Sequence, residues 1–239
     1  MSSSRREFLT ILGTTVAGLT LGRSLAQSES TQNVPAQSRP RPDGDAVLRD
    51  LLEGNARFVE GKLTGPRRKP EDFSSLAEGQ YPEAVIVSCA DARVPPEILF
   101  DQGVGDLFVV RIAGNVVAGT GDVVKGSIEY AVVELSVPLI MVLGHSDCGA
   151  VKSAIKHIDA HDSLPGAING LVNLIKPAVT AVQGKEGDKL DNAIRANVEA
   201  DVAQLKTLEP IVAKAVSQGK VKVVGATYDL RSGRVTVIS

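Results

Sequence analysis

The sequence runs to 239 residues with 26 lysines and arginines against 28 aspartates and glutamates, and a formal net charge of −2 leaves no basic footprint for nucleic acid. Aromatic side chains make up 3% of it and tryptophan is absent, which removes the stacking platforms that nucleobases and sugars need. At 43% hydrophobic residues the chain is long enough for one compact domain with a substantial core.

The amino terminus reads as an address. Ser4-Arg5-Arg6-Glu7-Phe8-Leu9 is a twin-arginine pattern, a weakly apolar stretch follows from Ile11 to Leu21, and Ser24-Leu25-Ala26 offers the small residues of a cleavage site. Residues 1–26 are therefore expected to be an export peptide, and the mature chain is expected in the periplasm or outside the cell. The apolar stretch is about half the roughly 20 residues that a membrane-spanning helix needs, and no later segment comes closer, so no membrane span is expected. Residues 27–45 are polar and dotted with proline, too poor in apolar surface to fold alone, and read as a flexible linker.

Residues 46–239 alternate helix and strand as one catalytic domain. Val47, Leu48, Leu51, Leu52 and Phe58 recur at helical spacing and predict an amphipathic helix ending near Gly61. A strand follows over 83–88, then a short helix begun by Pro95-Pro96, a strand over 107–112, a helix over 123–135, and a strand ending at His145. Helices are expected over 151–158, 168–182 and 192–208, and two β-rich runs, 221–228 and 234–238, close the chain around a turn at Ser232-Gly233. This order implies an α/β fold, a mainly parallel central sheet flanked by helices, with an amino-terminal helical arm.

Both cysteines follow apolar runs of strand character. Ser88-Cys89-Ala90-Asp91-Ala92-Arg93 comes after Glu83-Ala84-Val85-Ile86-Val87, and Gly144-His145-Ser146-Asp147-Cys148-Gly149 comes after Pro138-Leu139-Ile140-Met141-Val142-Leu143. In an open parallel sheet, ligands bind outside the carboxyl ends of strands where the winding reverses, so the two clusters can share a crevice. Cys89, His145 and Cys148 then supply three ligands of zinc type, the number a catalytic zinc takes while keeping its fourth position open. An oxidising compartment would instead favour a disulfide between Cys89 and Cys148. The twin-arginine route exports proteins already folded, often with a cofactor loaded, and that weighs toward the metal.

Taken together these residues resemble the β-class carbonic anhydrases. Leu52-Glu53-Gly54-Asn55-Ala56-Arg57-Phe58 is similar to the family's Gly-Asn-x-x-Phe signature, and Cys89-x-Asp91-x-Arg93 precedes His145-x-x-Cys148-Gly149 in the family's order. The resemblance runs from the opening helix to the closing β-rich segment. It implies reversible hydration of carbon dioxide to bicarbonate and a proton by a zinc-bound hydroxide, with one Zn2+ per subunit on Cys89, His145 and Cys148. It also implies that Asp91 and Arg93 form a dyad governing the fourth coordination position: Arg93 holds Asp91 off the metal, and a released Asp91 becomes a metal ligand itself. Gln80 matches a glutamine that in plant-type members hydrogen-bonds the substrate, usually from the partner subunit; otherwise it is a polar loop residue. The family assembles as homodimers or dimer-based oligomers whose amino-terminal helix wraps the neighbour. The stripe of Val47, Leu48, Leu51 and Leu52 suits that use, or packing within its own subunit. Some bacterial members carry a non-catalytic bicarbonate pocket, but its tryptophan and glycine positions are Ile86 and Ser88 here, and only Arg111 matches. The chain is thus closer to the plant-type subclass.

The residues can also be argued chemically. Asp91 and Arg93, two apart in extended chain, point the same way and can pair; alone they would read as a strand-end salt bridge. Two thiolates bring negative charge to the ion, so its bound water should be less acidic than on three histidines and the rate should climb into the alkaline range. Gly149 stands at a predicted helix start, where free N–H groups can stabilise a developing bicarbonate oxygen, or it is simply a turn glycine. His157 and His161 are four apart and read as solvated helix surface more readily than as a second metal site or proton relay. Gly119-Thr120-Gly121 and Lys125-Gly126-Ser127 lack the Gly-Lys-Ser order of a phosphate loop and read as a loop and helix start. Two rivals remain: a zinc hydrolase of carbon disulfide or carbonyl sulfide with the same ligands, and an exported binding protein with a disulfide or a structural zinc. Closed structural sites use four ligands, which counts against the second.

Overall fold

The computed structural model of the protein describes residues 41–239, so the export peptide and most of the proposed linker lie outside the described residues. Helix α1 spans Gly44–Val59, starting two residues earlier than expected because the Asp43 carboxylate accepts the Ala46 N–H as its cap. The chain then runs α2 (Pro70–Ser74), β1 (Ala84–Ser88), α3 (Pro96–Leu99), β2 (Leu107–Arg111), a 3-10 turn at Ala113–Asn115, α4 (Asp122–Val133) and β3 (Leu139–His145). It continues through α5 (Gly149–Asp159), α6 (Gly166–Ala181), α7 (Lys189–Lys206), α8 (Val212–Ser217), β4 (Lys222–Tyr228) and β5 (Val235–Val237). Helices α2 and α8 have no counterpart in the sequence reading. Both are short, and α2 buries none of its residues, so neither carries an apolar stripe long enough to be read.

The five strands form one sheet in the order β2-β1-β3-β4-β5, the first four parallel and β5 antiparallel to β4. All residues of β1 and β3 are buried, as strands covered on both faces must be, and their apolar runs show no alternation for that reason. On one face Val85, Val87, Ile140 and Val142 pack with Ile128 of α4 and Val198, Val202 and Leu205 of α7. On the other, Ile86, Leu139 and Met141 pack with Val47 and Leu51 of α1 and with Leu99 and Phe100. Val47 and Leu51 are 1% and 2% exposed inside their own subunit, so these two residues of the stripe pack within it, while Leu48 and Leu52 remain half-buried.

The Gly-Asn pair of α1 has a physical explanation. A Cβ on Gly54 would stand 1.8 Å from the Phe100 carbonyl oxygen, so only glycine lets α1 lie this close to the end of α3. Asn55, buried beside it, donates to the carbonyls of Leu99 and Gly233 and accepts the Val235 N–H, tying α1 to the closing β-rich segment. Arg57 adds a bond to Asp101; burial alone would raise that carboxyl, but Arg57, the N–H groups of Thr64 and Gly65 and the Thr64 hydroxyl outweigh it and hold it below the usual carboxylate range.

Candidate metal centre and active site

The winding reverses between β1 and β3, which pair with Ser88 opposite Leu143; Cys89 immediately follows β1 and His145 is the last residue of β3. Asp147 takes a positive φ of 62° and turns the chain so that Cys148 becomes the residue preceding α5. A third apolar cluster, including Val116, Val151, Val172 and Ile175, surrounds both cysteines and excludes water from them.

The sulfurs of Cys89 and Cys148 and a ring nitrogen of His145 lie within 4.8 Å of one another, all three residues buried, and the cysteines are free thiols and not a disulfide. Nδ1 of His145 is 2.9 Å from the Ser146 carbonyl oxygen. A carbonyl only accepts, so Nδ1 carries the proton and Nε2 is left with its lone pair. That Nε2 is buried without a hydrogen-bond partner. An orphaned buried acceptor costs about 1–3 kcal/mol, and a cation among two sulfurs and this nitrogen removes the cost. A ring fixed by its far nitrogen on a backbone carbonyl is also how metal-bound histidines are oriented.

The sulfurs are electrostatically linked. The neighbouring Cys148 thiol pulls the Cys89 thiol below its ordinary value against its burial, with His145 and the N–H groups of Gly114 at 3.2 Å and Asp91 at 3.4 Å adding to it. The same pairing, with burial, pushes Cys148 up, although the N–H groups of Ala150 and Val151 at the head of α5 partly offset it. A divalent cation between the two sulfurs takes the place of their protons, since it is the thiolate that binds metal. The residues present therefore fit zinc.

Beside this cluster Arg93 holds Asp91 with Nε 2.9 Å from Oδ1 and a terminal nitrogen 2.7 Å from Oδ2, and the Arg93 N–H also reaches Oδ1 at 2.9 Å. This grip holds the Asp91 carboxyl well below the usual carboxylate range. Asp91, expected both in the dyad and as a metal ligand, stands in the dyad, with Oδ2 3.9 Å from Nε2 of His145. Arg111, absent from the expected site, donates from Nε to the Cys89 carbonyl at 3.1 Å and from a second nitrogen to the Asp91 carbonyl, bracing the loop that carries ligand and dyad. Ser88, where a pocket-bearing relative has glycine, is fully buried.

Gly149 opens α5. Gln80 is exposed on the loop before β1 and takes no part in the sulfur–imidazole cluster of its own subunit. His157 pairs with Asp162 while His161 lies past the end of α5 at φ 52°, so the two do not form a helical pair. Gly119 packs against Leu174 and Gly121 precedes α4, in keeping with a loop and helix start.

Comparison with known proteins agrees with this geometry. The sequence profile of the family described as "Carbonic anhydrase" matches residues 84–235. The carbonic anhydrase of Mycolicibacterium smegmatis is 40% identical over 200 residues, covering 84% of this chain and 96% of that protein. Carbonic anhydrase 2 of Mycobacterium tuberculosis is 41% identical over 199 residues, covering 83% and 94%. Among solved structures, the β-carbonic anhydrase CcaA superposes with a TM-score of 0.64 at 29% identity over 81% of this chain and 95% of its own. A crystal structure from a study of two tetrameric β-carbonic anhydrases of Sordaria macrospora gives 0.65 at 26% over 81% and 98%. With the relatives matched over nearly their whole length, and the two cysteines and the histidine gathered at the switch point of the sheet, this chain belongs to the β-carbonic anhydrase family and is a carbonate dehydratase, a lyase.

Proposed function

We propose that the chain hydrates carbon dioxide reversibly to bicarbonate and a proton with one zinc ion per subunit held by Cys89, His145 and Cys148. The observation that carries this reading is the bare Nε2 of His145, buried and facing two sulfurs. Zinc, when bound, acidifies a water molecule enough to make a nucleophile for carbon dioxide near neutral pH. Around it, Arg93 keeps the Asp91 carboxylate ionised and oriented, and that carboxylate accepts one hydrogen bond from the attacking water, aiming its lone pair at the substrate carbon. The N–H of Gly149 stabilises the developing bicarbonate oxygen, and Gln80 is contributed to the site of a second copy. Zinc content of the purified protein, measured beside its carbon dioxide hydration rate in the wild type and in Cys148→Ala, tests the ligand set. Loss of metal and rate together is expected; stoichiometric zinc with normal turnover in the variant overturns the set.

Two further readings belong to this proposal. Export by the twin-arginine route rests on Arg5 and Arg6; replacing both with lysine should hold the precursor in the cytoplasm, and mature protein found outside the cytoplasm overturns the route. Assembly as a homodimer, or an oligomer built from dimers, is supported by the apolar surface of α4, where Val123, Tyr130 and Val133 are 84%, 48% and 53% exposed beside the edge strand β2.

A further inference from the structure

Among the described residues helix α7 makes no hydrogen bond to any of the three candidate ligands, yet it is seated against the strand that delivers one of them. A Cβ at Gly144, the residue before His145, would come within 2.6 Å of the Val198 Cγ2 and 3.4 Å of the Ile194 Cγ2. From that seat two polar side chains one helical turn apart, Asn197 and Asp201, 4% and 2% exposed, reach the 3-10 turn and the residues after it. Asn197 donates through Nδ2 to the Gly114 carbonyl at 2.9 Å. Oδ1 of Asp201 accepts the N–H groups of Val117 and Ala118, each at 2.9 Å, and Oδ2 accepts from the Asn115 amide at 3.5 Å. Burying a carboxylate without a cation is costly, and the dehydration chemistry has no use for this one. What these two side chains hold is the turn whose Gly114 N–H lies 3.2 Å from the Cys89 sulfur. Gly114 has φ 75°, and a Cβ there would meet Ile175 at 2.7 Å, so this peptide has one seat and only glycine fills it.

We propose that Asn197 and Asp201 are positioning residues that fix the Gly114 N–H on the Cys89 sulfur and thereby set how much charge this thiolate gives the metal. The proposal rests on Cys89 being a metal ligand. A hydrogen bond to a thiolate draws electron density from the sulfur, leaving it a weaker donor and the metal a stronger Lewis acid. Partners of this kind, one shell out from the ligands, commonly change metal affinity or activity 10- to 100-fold (roughly) when removed. Asp201→Ala removes the acceptor of two N–H groups and should let the turn drift. Asp201→Asn keeps an Oδ1 that can accept both.

The test uses cobalt(II) alone as a spectroscopic probe and zinc competition against a chelator. In Asp201→Ala the sulfur donates more strongly, so the cobalt–thiolate charge-transfer band should move to longer wavelength, and the zinc dissociation constant should change by roughly 10- to 100-fold. Asp201→Asn should restore both toward wild type. Asn197→Ala, which removes one bond to the same turn, should move the band the same way by less, and it serves should Asp201→Ala fail to fold. A purely structural role lowers melting temperature but leaves the band of the folded protein where it was. A folded Asp201→Ala or Asn197→Ala with the wild-type band and affinity overturns the proposal, as does an Asp201→Asn no better than Asp201→Ala. A wild-type chain that takes up cobalt without thiolate absorption overturns the ligand set, and this inference with it.

Discussion

Oδ2 of Asp91 stands 3.9 Å from Nε2 of His145, and the guanidinium of Arg93 is what occupies that carboxylate instead. On the proposed function, a short rotation would bring the oxygen into the ligand cluster, and the side chain of Arg93 would decide whether Asp91 orients a nucleophile or blocks its place. Arg93→Ala should therefore retain its metal and lose most of its rate. Adding Asp91→Ala should recover part of that loss, because the blocking group is gone although the orienting hydrogen bond stays missing. Zinc content and hydration rate measured on both variants check this. Such recovery is non-additive, as expected for residues that act as a unit, and a double variant no faster than Arg93→Ala removes the gating role.

The buried carboxylate of Asp201 makes a prediction about pH. Burial raises its carboxyl from 3.8 to about 6, more than the N–H groups of Ala118 and Val117 and the Asn115 side chain lower it. The folded state thus binds this proton more tightly than the unfolded one, and its contribution to stability is full below about 4 and declines as pH rises through about 6. The total amounts to roughly 3 kcal/mol. Asp201→Asn has no such proton, so its stability relative to wild type should climb between pH 4 and pH 6 and level off above about 7. Denaturant unfolding of the two proteins across that range measures the difference; a flat difference means that the carboxyl titrates near its ordinary value.

Sequence periodicity reached the parts of this fold where one residue type repeats. The unbroken apolar runs of β1 and β3, the stripe of α1 and the clusters after two strands were all readable, and they locate the sheet and both sulfurs. The partners of the cluster were not. Gly114, Asn197 and Asp201 lie 25, 108 and 112 positions from Cys89 and belong to no repeat, and an asparagine inside a helix looks the same whether it faces water or a buried carbonyl. Arg111 was legible only as a match to a pocket found in some relatives, whereas its bonds to two backbone carbonyls depend on how β2 ends beside β1.

Gly54 provides a test of the α1 docking. Its missing Cβ would sit 1.8 Å from a backbone oxygen of Phe100, an atom that no rotamer change can move. Gly54→Ala improves intrinsic helix propensity by about 1 kcal/mol and would stabilise an isolated helix. In the protein the clash should reverse the sign and cost about 3 kcal/mol or more, since α1 must lift from the end of α3 and strain the bonds of Asn55. Urea unfolding gives the answer, and an unchanged midpoint would mean that α1 is not held as close as this.

The assembly can be tested through α4 without touching the cluster. Tyr130 and Val133 lie on its exposed face next to the edge strand β2, whose outer backbone groups have no strand partner among the described residues. An apolar face beside an open sheet edge is a place for a second copy to bind, whereas Val47 and Leu51 of the α1 stripe are already buried in their own subunit. Val133→Glu places a charge there at little cost to the isolated subunit, because the residue is 53% exposed. Sedimentation should show the variant shifted to smaller species at concentrations where the wild type stays associated. If Gln80 serves the neighbouring site, the rate per subunit should fall in step with dissociation while zinc content stays constant. Gln80→Ala in the associated wild-type background should lower the rate without dissociation. A dissociated variant with full activity would mean that each subunit carries its complete site and that Gln80 acts, if at all, within its own chain.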